Sequence, residues 1–252
     1  MRAQTNNNEM FSMELSVVVP IYNEVDNIEP LVREIQIALL DIIKYEIILV
    51  NDFSCDGTSQ KLAELKREID CLRVLTHKKN FGQSAAIRSG VKVATAPLIV
   101  TLDGDGQNNP ADIPNLLHAY KEQLKVVPKL MVCGHRYNRQ DSYLKCISSK
   151  IANIIRSSLL ADSTLDTGCG LKVFRAEDFM EMPGFDHMHR FLPALMIRNG
   201  GRVVSVNVSH RRRERGSSNY GTIDRLWVGI FDLFGMVWLN RRLIIAEFEE
   251  SE

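Results

Sequence analysis

Two carboxylates, Asp103 and Asp105, stand two residues apart at the end of the apolar run LIVTLD, with Gly106 and Gln107 directly after them. Carboxylates held that close repel unless protons or a cation intervene. Oxygen donors from Asp105 and the amide of Gln107 suit Mg²⁺ or Mn²⁺, which take one or two carboxylates and complete their shell with substrate phosphates. Gly104 and Gly106 let the backbone approach a ligand closely. A solvated Asp-Gly turn is the plainer alternative, but such a turn needs neither the strand before it nor the Gln after it.

Asp52 closes a second apolar run, YEIILVND, and the polar residues Ser54, Asp56, Gly57 and Thr58 follow it. A carboxylate there can accept hydrogen bonds from a base or ribose; the plainer alternative is a loop in which Asp56 or Thr58 caps the helix that follows. The run from His210 to Gly221 crowds Arg211, Arg212, Arg213 and Arg215 beside Ser217 and Ser218. Guanidinium groups grip phosphate in pairs of hydrogen bonds, and small flexible neighbours let such a loop fold over it. Alone, the run would read as a solvated face; beside the acidic pair it reads as a phosphate binder. Asp166, in the glycine-flanked DTGCG, either orients or deprotonates an acceptor or simply forms a turn. Cys169 has no histidine placed to activate it and reads as a space-filler.

Short apolar runs alternating with helical periodicity must position these residues. LSVVVP precedes Ile28, Leu31, Val32, Ile35 and Leu39 at helical spacing, then comes YEIILVND. Asp26 and Glu29 form a candidate capping box, with Pro30 in the first turn. Further helices are expected near Thr58 to Ile69, through GQSAAIRSGVKVA, from Asp112 and at HRFLPALMIRNG. Strands are expected at LRVLTH, LIVTLD, LMVCGH and RVVSVNVSH. Strands alternating with helices imply an α/β fold whose mostly parallel sheet is covered on both faces. In such sheets ligands sit beyond the carboxyl ends of the strands, where the polar groups above fall. PIYNE stands where a dinucleotide site would carry G-x-G-x-x-G, so that site is disfavoured.

Composition excludes several classes. At 252 residues, 45% hydrophobic and 25% charged, the chain sits at globular averages, and its 31 basic residues cancel 31 acidic ones, which leaves no overall field to hold nucleic acid. Five scattered cysteines without a C-x-x-C pair suggest free thiols. Residues 1–13 read as a flexible polar tail with no apolar secretory region, so a cytoplasmic location is expected. The apolar run from Leu226 to Leu239 contains Asp232 and is shorter than the roughly 20 residues a spanning helix needs. Its Trp227, Phe231, Phe234 and Trp238, flanked by Arg225, Arg241 and Arg242, suit an interfacial helix; a core or dimer helix is the competing reading.

The ordered set VVVPIYNE, VNDFSCDGT, NFGQSAAIRSG, LDGDGQNNP, DTGCGLKVFR, HRFLPAL and HRRRERGSSNYG resembles family 2 inverting glycosyltransferases of the GT-A fold. The likeness is to the polyprenyl-phosphate type related to dolichol-phosphate mannosyltransferase, over about Leu15 to Arg242. It implies a Rossmann-like GT-A domain at 14–222 and a C-terminal amphipathic extension with an acidic tail at 223–252. By this resemblance Pro20, Tyr22, Glu24, Asp52, Asn80, Gly82, Gln83, His189 and Arg190 bind substrate, and Asp103 lies against ribose and diphosphate. Asp105 and Gln107 hold Mg²⁺ or Mn²⁺, and Arg213 and Ser218 bind phosphate. Departures are Asn51 for Asp, Phe53 for Gly, Arg212 for Pro, and Asn219 for Lys; the last leaves Arg211 or Arg215 as substitute cations. Asp105, Asp166 and Arg213 are the expected catalytic groups.

The expected activity is metal-dependent transfer of a sugar from a nucleotide diphosphate sugar to a polyprenyl phosphate, feeding envelope glycan or glycolipid synthesis. The enzyme would be peripheral on the inner membrane face, and a homo-oligomer is left open. A haloacid-dehalogenase-like phosphatase also uses a strand followed by Asp-x-Asp, but at its first strand. A non-catalytic membrane-surface protein that binds nucleotide sugars would not need Asp103, Asp105 and Gln107.

Overall fold

In the computed structural model the described residues are 14–137, 156–160, 162–211 and 222–242, and for 222–228 the backbone alone is described. Seven strands form one sheet in the order β3-β2-β1-β4-β6-β5-β7. They are β1 Leu15–Ile21, β2 Tyr45–Asn51, β3 Leu72–Thr76, β4 Leu98–Thr101, β5 Leu130–Arg136, β6 Lys172–Arg175 and β7 Arg202–Val208. The β1–β2, β1–β4, β2–β3 and β5–β7 pairs are parallel. β6 runs antiparallel to both β4 and β5.

The helices are α1 Val25–Leu39, α2 Thr58–Glu68, α3 Gln83–Val93, α4 Ile113–Leu124, α5 Ala176–Met180, α6 Leu192–Arg198 and α7 Thr222–Asn240. Alternation along β1 explains the two layers: Val17, Val19 and Ile21 pack with Ile28, Val32 and Ile35 of α1, Leu62 of α2 and Leu116 of α4. Val18 points the other way, toward Ala86 and Val91 of α3, Leu195 of α6 and Met236 of α7. A sheet buried on both faces needs apolar residues at nearly every position, which is what β1 and β2 supply.

Two local expectations are corrected. The Asp26–Glu29 capping box does not form. α1 starts at Val25, whose N–H donates to Asp56 Oδ2 at 3.2 Å, while the Glu24 N–H donates to Thr58 Oγ1 at 3.3 Å. The cap comes from the loop after β2, and Pro30 lies deeper in the helix than its first turn. The second correction is β6, in a segment read as a glycine-rich stretch. Because it runs against its neighbours, its first residues lie at the end of the sheet where β1, β2, β4 and β5 finish. The DTGCG loop therefore lands beside Asp103.

Among the described residues, Cys55, Cys71, Cys133 and Cys169 are free thiols.

Candidate active site

The loop after β4 holds the acidic pair in a compact turn. Gln107 N–H donates to Asp105 Oδ1 at 3.1 Å, and Asp103 N–H donates to the buried Asn108 Oδ1 at 3.1 Å. Gln83 at the start of α3 donates its amide to Asp103 Oδ1 at 2.8 Å. Burial, and then the charge of Asp105, push the Asp103 carboxyl up to about 6, against the opposing pull of Lys172, Arg136 and the Gln83 hydrogen bond. A carboxylate raised in this way gains from a cation. Among the described residues Asp105 Oδ2 accepts no hydrogen bond, and no group of three or more His, Cys, Asp or Glu side chains could enclose an ion. Two carboxylates with an amide fit Mg²⁺ or Mn²⁺ completed by phosphate oxygens, and do not fit a closed structural metal site.

Glycine is required at two points here. A Cβ on Gly170 would lie 2.3 Å from the Asp103 carboxyl carbon, and one on Gly104 would lie 2.9 Å from the Pro20 carbonyl oxygen. These approaches bring the ends of β1 and β4 and the start of β6 into contact.

Asp52 is buried, and both of its oxygens are engaged. Oδ1 accepts from Phe81 N–H at 2.9 Å and meets His77 Nδ1 at 2.6 Å, while Oδ2 accepts from Gly82 N–H at 2.7 Å. Asn80 donates to the Asp52 carbonyl at 3.3 Å. The expectation that its carboxylate faces a nucleotide is corrected to this extent: Asp52 holds the turn that delivers Asn80, Gly82 and Gln83 to the site. Phe53 beside it adopts φ 64°, a left-handed backbone that suits the glycine of the family pattern. Pro20, Tyr22 and Glu24 follow the same edge at the end of β1, and Glu24 accepts from Asn27 Nδ2 at 2.6 Å.

Asp166 is buried and gripped in fork geometry by Arg136, whose Nε and Nη2 donate at 2.6 and 2.8 Å, while the Arg136 backbone N–H adds a third bond at 3.3 Å. Both carboxylate oxygens are therefore engaged. Of the two readings open for Asp166, this arrangement favours positioning over proton abstraction. Cys169 is buried, and burial pushes its thiol up, as expected of a space-filler and not of a nucleophile.

Gln83, Asp103, Gly170, Lys172, His189 and Arg190 line a cavity of about 140 Å³. On this measure one water needs roughly 10–15 Å³, so the space takes a larger group. Ser84 Oγ accepts the His189 backbone N–H at 3.2 Å and lies 2.7 Å from its Nδ1. Burial holds His189 down to about 3, so the ring is neutral.

The basic run begins on the acidic loop: His210 bridges Asn108, and Arg211 N–H donates to the Gln107 carbonyl at 3.2 Å. The Arg211 guanidinium turns away, donating to Glu34 Oε2 at 2.6 Å and Asn109 Oδ1 at 2.5 Å. Its charge is already paired, which corrects its expected contact with phosphate. Arg213, Arg215 and Ser218 lie outside the described residues.

Sequence reasoning missed Arg136 and Lys172. Arg136 was visible as a polar residue ending LMVCGHR, but nothing local ties it to Asp166. Lys172 was hidden because β6 was not expected.

The glycosyl transferase family 2 model matches residues 16–182. The dodecaprenyl-phosphate galacturonate synthase of Rhizobium johnstonii is 36% identical over 240 residues, 93% of this chain and 70% of that protein. An undecaprenyl-phosphate 4-deoxy-4-formamido-L-arabinose transferase of Serratia proteamaculans is 32% identical over 209 residues, 82% of this chain and 63% of that one. The chain thus spans about two thirds of these relatives' length. Among solved structures, glucosyl-3-phosphoglycerate synthase of Mycobacterium tuberculosis, in complex with Mn²⁺, UDP and its product, superposes with a TM-score of 0.64. The sequence identity is 16%, over 90% of this chain and 80% of that one. A mannosyltransferase of Pyrobaculum calidifontis with GDP-mannose and Mn²⁺ gives 0.58 at 20% identity, over 82% and 59% of the two chains. The fold is GT-A, and the chain belongs to glycosyl transferase family 2.

Proposed function

We propose that this protein transfers a sugar, with inversion, from a nucleotide diphosphate sugar to a polyprenyl phosphate at a membrane surface, using Mg²⁺ or Mn²⁺. The observation that carries this reading is that Asp103, from the acidic loop, lines one cavity with Lys172, His189 and Arg190. Acidic groups for a cation and the cations Lys172 and Arg190 then meet where a diphosphate would lie. The names of both curated relatives, each a polyprenyl-phosphate enzyme, support the choice of acceptor.

Asp105 and Gln107 would hold the cation, with Asp103 beside them. When bound, the cation would neutralise charge on the departing diphosphate. A phosphate monoester, with a second pKa of about 6, is already an anionic nucleophile near neutrality. The residues then have to align and stabilise more than deprotonate. Asp166, locked by Arg136, fixes the wall against which the acceptor is aligned, and Arg213 and Ser218 complete the phosphate contacts. Pro20, Tyr22 and Glu24, with the turn held by Asp52, receive the nucleoside.

No helix among the described residues is long and apolar enough to cross a membrane. In α7 the buried Met236 and partly buried Leu233 and Val237 pack on the core, while Phe231, Phe234 and Trp238 are 71%, 67% and 62% exposed. That outward aromatic stripe suits peripheral attachment on the cytosolic face, where a long-chain acceptor is met.

The test is direct: purified protein, Mn²⁺, undecaprenyl phosphate, and UDP- or GDP-linked sugars in turn. The expected product is a prenyl-phosphate sugar of inverted anomeric configuration. Release of free sugar or phosphate without a prenyl product would overturn the proposal.

A further inference from the structure

We propose that Asp232 of α7 is a positioning residue for transfer: it meets His187 and so holds the turn that carries His189 and Arg190 to the cavity wall. This rests on the reading of that cavity as the place where the diphosphate lies.

Between Leu226 and Leu239, Asp232 is the one charged residue. Helical spacing sets it on the side of Leu233, Met236 and Val237, which pack on the core, and away from the exposed Phe231, Phe234 and Trp238. A carboxylate in apolar company is costly unless a partner meets it. Its Oδ2 is buried and accepts no hydrogen bond. The His187 ring stands against it with Nδ1 at 3.2 Å, within reach but not aligned to donate. The other acid near that ring, Asp186, has its Oδ2 3.7 Å from Nε2 and a side chain 68% exposed, so water screens it more than Asp232.

The His187 backbone is left-handed, with φ 62° and ψ 8°, a conformation that a residue other than glycine keeps only where its surroundings impose it. Its carbonyl accepts the Arg190 N–H at 3.1 Å, and Met188 next to it is buried in the core. The conformation of His187 therefore sets the path of the three residues that follow. On the other side Ser84 of α3 holds His189, accepting its backbone N–H at 3.2 Å and lying 2.7 Å from its Nδ1. The turn is gripped by α3 from one side and met by α7 from the other, and from it Arg190 joins Asp103 and Lys172 on the cavity wall.

The experiment is a double-mutant cycle on the full chain with Mn²⁺. The acceptor is undecaprenyl phosphate in detergent micelles, so that attachment to a bilayer plays no part, and the donors are UDP-glucose, UDP-galacturonate and GDP-mannose in turn. Asp232→Leu sets an apolar side chain among apolar neighbours, so its melting point should equal or exceed the parent's. Its kcat/KM should nevertheless fall about tenfold, within the range that a displaced positioning group costs. Arg190→Gln should fall at least as far, and the double variant should be no slower than Arg190→Gln alone, because one residue acts through the other. Should Asp232→Leu fail to fold, His187→Gly, which suits the left-handed backbone and removes the ring, takes its place in the cycle. Losses that multiply in the double variant, or a folded single variant at position 232 or 187 as fast as the parent, overturn the proposal while parent turnover leaves the transfer reading standing. A parent that forms no prenyl-phosphate sugar from any of these donors overturns both.

Discussion

Burial and the neighbouring Asp105 hold the Asp103 carboxyl at about 6, from an ordinary 3.8, so this side chain works against the stability of the ligand-free protein. A raised carboxyl contributes stability that is present below pH 3.8 and lost as pH rises through 6. Asp103→Asn removes the charge and should raise ligand-free stability at pH 8 by about 1–2 kcal/mol, seen as a melting shift of a few degrees that vanishes below about pH 4. The same variant should lose transfer. An Asp103→Asn protein that melts lower than the parent at pH 8 would show the charge to be already compensated. At this scale the sequence was most informative where chemistry is consecutive: Asp103, Asp105 and Gln107 share one turn. It was silent on Arg136, whose partner Asp166 lies 30 residues away, and on Lys172, whose strand was not expected. It misjudged Arg211, because nothing near that residue announces Glu34 of α1.

β6 is the element that joins the acidic loop to the cavity wall, and Gly170 just before it is where clearance is least. Gly170→Ala would drive its Cβ into the Asp103 carboxyl, 2.3 Å away. We expect at least a tenfold fall in transfer with a melting point within a few degrees of the parent, since the displaced group is one side chain at the loop and not the core; unchanged transfer would mean that Asp103 need not stay where it is. At the opposite end of the sheet Glu46 of β2 is buried. Burial alone would raise its carboxyl, but hydrogen bonds from Ser16, Thr95 and Arg73 outweigh it and bring it from 4.5 to about 2. A depressed carboxyl contributes stability that is present above pH 4.5 and lost as pH falls toward 2. Glu46→Gln should cost about 2 kcal/mol at pH 7, and that difference should shrink through this acid window in denaturant titrations. The α/β alternation was legible because β1, β2, β4 and β5 carry apolar runs between amphipathic helices. β6 was not, since KVFR puts only two apolar residues between charged ones, directly after a glycine-rich turn. The Asp26–Glu29 cap failed for a related reason: Asp56, which tertiary structure places at the start of α1, took its place.

Over the whole molecule, the sheet separates a helical layer of α1, α2 and α4 from one of α3, α5, α6 and α7, and α7 divides its own surface between core and solvent. The sequence showed the aromatic stripe of α7 but not which residues face outward, because packing of Met236, Leu233 and Val237 into the core decides that. Changing Phe231, Phe234 and Trp238 together to Ser should therefore weaken sedimentation with anionic liposomes several-fold while leaving melting unchanged; a lower melting point, or undiminished sedimentation, would return the stripe to a protein contact. The central claim is that the acidic loop works with a divalent cation to move a sugar onto a prenyl phosphate. The most direct measurement is the initial rate of prenyl-phosphate sugar formation by the parent and by Asp105→Asn, each with Mn²⁺ and with chelator. The parent should turn over only with Mn²⁺, and the folded Asp105→Asn protein should fall by about a hundredfold or more, on the scale of losing one electrostatic stabiliser of a transition state. Parent turnover undiminished by chelator, or an Asp105→Asn protein as fast as the parent, would contradict it.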